Sequence, residues 1–342
     1  MPPAKSRKPR LALVGPDSLR GKEILNVFAA KKYPVASFEL FDPEVEEEYS
    51  KLGQFRGEAK VVHGLTPAAL EGLDLVFLAA DEKTNLRYGR LAAEKDYHAL
   101  DLAETFNADP KVPLVVAGVN DAIVREMNPP LIANPHTATI VLAHLLSTLG
   151  SGFGVTQALS TVLEPVSAYA EEGIRELADQ SFALLGGASL AKKVFPDQVA
   201  FNLLARTIKP ERNGFSPLEN RVTAEIGRVL GPAAPPLSLA IILAPVFHTY
   251  SIMTHVELGG DVPASEIEAC LKANDIFRQA AAGERAAISP ATVAGKDRIH
   301  LGPVKKDPAI ARGYWIWAVA DNLTVGSGLN AFGAARALFE AA

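Results

Sequence analysis

The sequence predicts an α/β chain of two domains, the first built on a doubly wound parallel sheet. Three observations carry that expectation. At 342 residues the chain is longer than one hydrophobic core usually organises, so two domains are the natural division. Residues 10–15, R-L-A-L-V-G, run through P-D-S-L-R-G into a helical pattern at Ile24, Leu25, Val27 and Phe28. A strand, a glycine turn and a helix open a nucleotide-binding βαβ unit of Rossmann-like type. Residues 73–80, L-D-L-V-F-L-A-A, are apolar almost throughout, as a parallel strand covered on both faces must be.

Composition narrows the class. Hydrophobic residues make up 48% and charged residues 21%, the balance of a soluble globular protein. With 34 Lys and Arg against 39 Asp and Glu, the net charge of −5 argues against nucleic acid as a partner. No apolar run reaches membrane-span length. The opening M-P-P-A-K-S-R-K-P-R is basic without a secretory core and reads as a solvated tail. The single cysteine, Cys270, excludes an internal disulfide and suits a reducing cytoplasm. It sits at helical spacing with Ile267, which points to core packing. The seven histidines show no H-x-x-x-H spacing, so no metal is expected.

Within the first domain, Gly15 and Gly21 keep the outer glycines of the turn, while Ser18 stands where a third would let the backbone approach a pyrophosphate. A dinucleotide turn and a tight strand–helix turn without ligand both remain open. Residues 35–41 read as the second strand, ending at Asp42. A carboxylate there can accept from the ribose hydroxyls of NAD and repels the extra phosphate of NADP, which favours NAD. The run D-P-E-V-E-E-E also reads as the solvated start of an acidic helix. After the strand at 73–80 come Asp81 and Glu82, two acids that repel a pyrophosphate unless neutralised. A helix over 85–95 and a strand over 98–102 follow. In the second half, 155–161 is a strand by its β-branched ends, 237–258 is the most apolar stretch, and 261–273 is an amphipathic helix.

The chain is organised around residues 131–140, L-I-A-N-P-H-T-A-T-I. An apolar run ends at Asn134 and Pro135, and a helical pattern through Ile140, Val141, Leu145 and Leu149 follows. Proline and a threonine N-cap suit that helix start. A side chain there meets backbone N–H groups and the positive end of the helix dipole, a place for a nucleophile or an anion. Thr137 occupies it, and a hydroxyl is not ionised at neutral pH without a base.

This segment resembles the active-site segment of the aspartate-semialdehyde dehydrogenase family, I-A-N-P-N-C-S-T. Asn134, Pro135 and Thr139 match, and Thr137 stands at the catalytic cysteine. The resemblance continues along the chain. D-L-A-E-T-F-N is similar to D-N-S-S-A-F-R, with Asn107 at a phosphate-binding arginine. Residues 112–120 follow V-P-L-V-V-P-E-V-N. The stretch from Ser160 to Leu177 places Glu164 near the glutamine that positions substrate. The helical stretch 213–231 places Arg221 at a lysine. A-P-V-F-H-T-Y-S puts Tyr250 at the catalytic histidine, with Leu243 at the arginine for the substrate carboxylate. D-N-L-T-V-G-S-G-L-N-A, containing Asn322, resembles D-N-L-R-K-G-A-A-L-N-A before the last helix, which in the family folds back on the nucleotide domain.

The resemblance implies a Rossmann-like NAD(P)-binding-type domain over residues 1–134 with 322–342. Residues 135–321 form an α+β dimerisation domain of catalytic type. It implies NAD or NADP as cofactor, a homodimer and a small-molecule ligand. The implied catalytic positions are Thr137 (nucleophile), Tyr250 (base) and Glu164 (substrate positioning). Substrate binding falls to Asn107, Asn134 and Arg221, and cofactor binding to Gly15, Ser18, Gly21, Asp42 and Asn322. The family reaction runs by thiolate attack on an aldehyde, hydride transfer and phosphate release of the thioester. With those positions replaced, the expectation is a family member without phosphorylating dehydrogenase activity, resembling the cysteine-lacking Usg-type paralogues. The alternatives are an active NAD-dependent oxidoreductase with another mechanism or substrate, and a non-catalytic dimer partner or ligand-binding protein. His136 adjoins Thr137, but sequence neighbours rarely point at one another. His248, two residues from Tyr250, is the candidate displaced base if both lie on a strand.

Overall fold

The computed structural model describes residues 8–46, 51–205, 209–279 and 287–340. Most of the basic tail and the end of the acidic run lie outside the described residues. The chain divides into two compact units, Met1–Pro135 with Ser327–Ala342, and His136–Gly326.

The first unit contains β1 (Arg10–Val14), α1 (Leu19–Ala30), β2 (Ser37–Asp42), β3 (Lys51–Phe55), β4 (Glu58–Gly64), β5 (Leu75–Leu78), α2 (Glu82–Lys95), β6 (His98–Asp101), α3 (Ala122–Met127) and β7 (Leu131–Ala133). Its sheet runs in the order β3-β4-β2-β1-β5-β6-β7 and is parallel except for β3 against β4. Strand order reverses between β1 and β5, the place where such sheets bind ligands beyond their carboxyl ends. Alternation explains the two-sided burial. Leu11 and Leu13 enter one core with Phe28, Phe38 and Phe77; Ala12 and Val14 enter the other with Phe41, Tyr88 and Tyr97. Phe28 makes edge contacts with Phe38, Phe77 and Phe332 at 4.9–5.5 Å, so the last helix, Asn330–Phe339, closes the first of these cores.

One expectation needs correction. The acidic stretch after Asp42 turns at once, because Asp42 Oδ1 accepts the N–H of Glu44 at 2.9 Å. A β3–β4 hairpin follows, and its two turn residues, Arg56 and Gly57, have φ of 55° and 80°, the left-handed pair that a two-residue hairpin demands. Asp81 caps α2, accepting from the N–H of Thr84 at 3.0 Å and from its hydroxyl at 2.6 Å. Those bonds hold its carboxyl below the usual carboxylate range.

The second unit contains α4 (Thr137–Phe153), β8 (Val155–Glu164), α5 (Ala170–Gly186), α6 (Pro217–Leu230), β9 (Leu237–Leu243), β10 (Tyr250–Leu258), α7 (Ala264–Ala273), β11 (Phe277–Gln279), α8 (Pro290–Val293), β12 (Ile299–Leu301), β13 (Lys305–Lys306) and β14 (Gly313–Ala320). The sheet order is β11-β12-β14-β10-β8-β9, with β13 on β14. Its long central pairs, β8 with β10 and β10 with β14, are antiparallel. One face carries Ala158, Val162, Ile252, Val256 and Ile316, all buried, and α4 and α6 lie on this sheet. The opposite face aligns Leu159, His255 and Trp315 across three strands. Leu159 there is 50% exposed and Trp315 39% exposed. Cys270 lies 3.9 Å from the carbonyl of Thr148 in the packing between α7 and α4. No helix among the described residues is long and apolar enough to cross a membrane.

Candidate functional site

Helix α4 starts at Thr137, and its N-cap is His136 rather than a threonine. The imidazole does what a hydroxyl usually does, with Nδ1 accepting the N–H of Ala138 at 3.2 Å. That bond fixes the neutral ring's proton on Nε2. Nε2 lies 3.0 Å from Tyr250 Oη, and Tyr250 donates its own proton to Glu164 Oε1 at 2.9 Å. Tyr169 donates to the other oxygen of Glu164 at 3.3 Å. An ordered chain from His136 through Tyr250 to Glu164 results, with all three residues buried.

Backbone geometry places Tyr250. The residue before it, Thr249, has φ of 77°, a conformation that strains a β-branched residue. Its N–H is held by Asn322 Oδ1 at 3.1 Å, and Ser167 donates to the same oxygen at 3.2 Å. Because β10 starts only at Tyr250, His248 lies in the preceding turn and the shared strand face expected for it does not exist. The histidine against Tyr250 is His136.

Thr137 itself is 8% exposed. Its hydroxyl donates to the backbone carbonyl of Asn322 at 3.5 Å, a long bond. Gly326 packs so closely that a Cβ there would fall 2.2 Å from Thr137 Oγ1. The ring nitrogens of His136 are engaged elsewhere, so the Thr–His pair does not form. Below the helix start, Glu225 Oε2 accepts the N–H of His136 at 3.0 Å and the hydroxyl of Thr139 at 2.5 Å. Arg221 approaches Glu225 at 3.7 Å from one turn earlier in α6. Leu243, at the position of the substrate arginine, is buried at the end of β9.

The other sequence-derived positions lie in the first unit. Asn107 is buried in the turns after β6. Asn134 Oδ1 accepts from Asn330 at 2.9 Å, and Asn330 also binds the backbone at Val115 and Ala117. Asn134 thereby anchors β7 to the last helix. Gly15 has φ of 82°, and a Cβ on Gly21 would lie 2.2 Å from the Gly15 carbonyl; these glycines are required for strand and helix to meet. Ser18 caps α1, accepting the N–H of Gly21 at 3.0 Å and donating to Gly15 O at 2.9 Å. Asp42 ends β2 with Oδ2 2.6 Å from Lys51 Nζ, which also pairs with Asp17 in the glycine turn.

These residues fit a dinucleotide. The helix start keeps the first-turn N–H groups of Leu19 and Arg20 without intrahelical acceptors, and a carboxylate stands at the end of β2 for a ribose. Ser18 withholds the third donor. Among the described residues no group of three His, Cys, Asp or Glu could hold a metal. Sequence reasoning missed His136 as a cap, Glu225, Tyr169 and Lys51. Glu225 had a signal, since it matched a family helix; a lone lysine or tyrosine gives none.

Two family profiles match the chain. Residues 10–127 match "Semialdehyde dehydrogenase, NAD binding domain" and residues 149–325 match "Semialdehyde dehydrogenase, dimerisation domain". An aspartate-semialdehyde dehydrogenase of Shewanella violacea is 26% identical, covering 97% of this chain and 98% of that protein. Aspartate-semialdehyde dehydrogenase 2 of Vibrio cholerae is 27% identical, covering 95% and 96%. The crystal structure of aspartate semialdehyde dehydrogenase II from Vibrio cholerae superposes with a TM-score of 0.90 at 25% identity, over 97% of this chain and 98% of that one.

Proposed function

The chain belongs to the semialdehyde dehydrogenase family, and we propose that it binds NAD in its N-terminal unit without catalysing the family's phosphorylating oxidation. One observation carries the reading. The hydroxyl at the nucleophile position, Thr137, bonds to a backbone carbonyl, while the nearest histidine is committed to Ala138 and Tyr250. No base activates it, and a neutral hydroxyl is a poor nucleophile. NAD, when bound, supplies a hydride acceptor or donor; the residues here supply only the charge and donors that hold it. The test is titration of the purified protein with NAD and NADP, followed by thermal unfolding. Ligand that binds only the folded state raises the midpoint with concentration. An unmoved midpoint with both dinucleotides removes the cofactor part of the reading.

The ordered His136–Tyr250–Glu164 chain favours a second reading, an NAD-dependent oxidoreductase of altered mechanism. A tyrosine held between an imidazole N–H and a carboxylate can pass a proton to a carbonyl oxygen. If so, Tyr250→Phe abolishes any aldehyde reduction by NADH while leaving NADH affinity intact.

Ser18→Gly gives a direct check on the nucleotide turn. Glycine at an N-cap costs only a few tenths of a kcal/mol relative to serine, and it frees the N–H of Gly21 for a pyrophosphate. NAD affinity is expected to rise about threefold to tenfold, on the scale of one net hydrogen bond. Calorimetric titration giving equal affinities would count against a pyrophosphate at α1.

We also propose a homodimer through the outward face of the second sheet. In its row, Leu159 and Trp315, on either side of the buried His255, leave apolar area uncovered, and the matched profile over this unit is described as a dimerisation domain. Leu159→Glu places a carboxylate in that row and is expected to shift the protein from dimer to monomer in light scattering. A dimer unaffected by it places the interface elsewhere.

A further inference from the structure

We propose that Lys51, on β3, is the residue that sets which dinucleotide the first unit accepts; this rests on the cofactor reading above. Sequence reasoning assigned the choice to Asp42 alone. In the structure Asp42 does not act alone. Its Oδ1 is fixed by the N–H of Glu44 at 2.9 Å, and its Oδ2 lies 2.6 Å from Lys51 Nζ. The same ammonium pairs with Asp17, two residues beyond Gly15. Lys51 therefore joins the glycine turn, where a pyrophosphate belongs, to the end of β2, where the adenosine ribose belongs.

The two forms of the ribose ask for opposite chemistry. The diol of NAD needs an acceptor, and a carboxylate has about four lone-pair directions, of which Asp42 uses one on each oxygen here. The 2′-phosphate of NADP needs a cation that is not already neutralised. Lys51 offers such a cation but is held by two carboxylates, so the three groups together remain anionic. A neutral diol is accepted there and a phosphate is repelled. Lys51 also offsets Asp17, which otherwise stands beside the pyrophosphate as an uncompensated negative charge. The side chain of Asp42 is 11% exposed and that of Lys51 40%, so the acid is the fixed member of the pair and the lysine the one able to turn to a ligand. Removing the acid takes one negative charge from this cluster and leaves Lys51 shared between Asp17 and an incoming phosphate.

The experiment is calorimetric titration of the full-length protein with NAD and NADP in four forms: unaltered, Asp42→Asn, Lys51→Met, and the two substitutions combined. Asp42→Asn is expected to gain NADP affinity by about tenfold, the scale of one charge-assisted hydrogen bond. Adding Lys51→Met is expected to remove that gain. Lys51→Met alone is expected to weaken NAD by exposing the pyrophosphate to Asp17. An NADP gain that survives in the combined variant, or equal shifts in both dinucleotides across all four forms, overturns the proposal. Absence of any dinucleotide binding by the unaltered protein overturns the cofactor reading, and this inference with it. Melting curves of each variant distinguish a lost site from a lost fold.

Discussion

Given aspartate semialdehyde, phosphate and NAD or NADP, the unaltered protein is expected to form acyl phosphate at least about 10⁴-fold more slowly than a cysteine-bearing relative. Three features of the candidate site set that expectation. The Thr137 hydroxyl stays protonated without a base, and the nearest imidazole presents its only free lone pair to Ala138. Tyr250, where the family has its histidine, donates to Glu164 and does not withdraw protons at neutral pH. Leu243 supplies no charge for a substrate carboxylate. Thr137→Cys alone places a thiol at a helix N-terminus, which lowers thiol pKa. Joined with Tyr250→His, it should bring measurable turnover, still limited by Leu243. Fast acyl phosphate formation by the unaltered protein, detected by coupled NADH absorbance, would sink the reading.

The elements with strong local signals were legible. β1 and β5 announced themselves as continuous apolar runs because both faces of a parallel sheet are covered. The glycine turn was legible because Gly15 and Gly21 have steric reasons to be glycine. What escaped reading depended on long-range partners. Asp81 caps α2, and Asp42 meets a lysine from a hairpin that the acidic run concealed. His136 showed no N-cap signal, since histidine is not a usual cap. Its role follows from Tyr250, distant by 114 positions in sequence. The strand-face argument for His248 failed because β10 begins only at Tyr250, after a turn whose last residue, Thr249, has a left-handed φ that no alternation pattern encodes. The quoted family motifs nominated residues for the site. They did not state which of those residues bond to one another.

Glu225→Ala is expected to destabilise the protein by about 2–4 kcal/mol. Glu225 is 1% exposed, and one of its oxygens holds two donors at the start of α4: the His136 N–H at 3.0 Å and the Thr139 hydroxyl at 2.5 Å. Its other oxygen lies 3.7 Å from Arg221. A carboxylate there also complements the positive end of the α4 dipole. Truncation leaves the N–H and the hydroxyl buried without this acceptor and removes the counter-charge from Arg221, costs that exceed the worth of the bonds themselves. The thermal midpoint should fall by roughly 3–6 °C for a chain of this size. Glu225→Gln keeps the shape but turns a donor toward one of those partners, so its midpoint should lie between the two. The consequence reaches the site, because the His136 N–H fixes the ring that bonds to Tyr250. Loosening that anchor should disorder the His136–Tyr250 pair before the rest of the unit unfolds. A midpoint within 1 °C or so of the unaltered protein, on the scale of a surface substitution, would mean that Glu225 does not hold the α4 start.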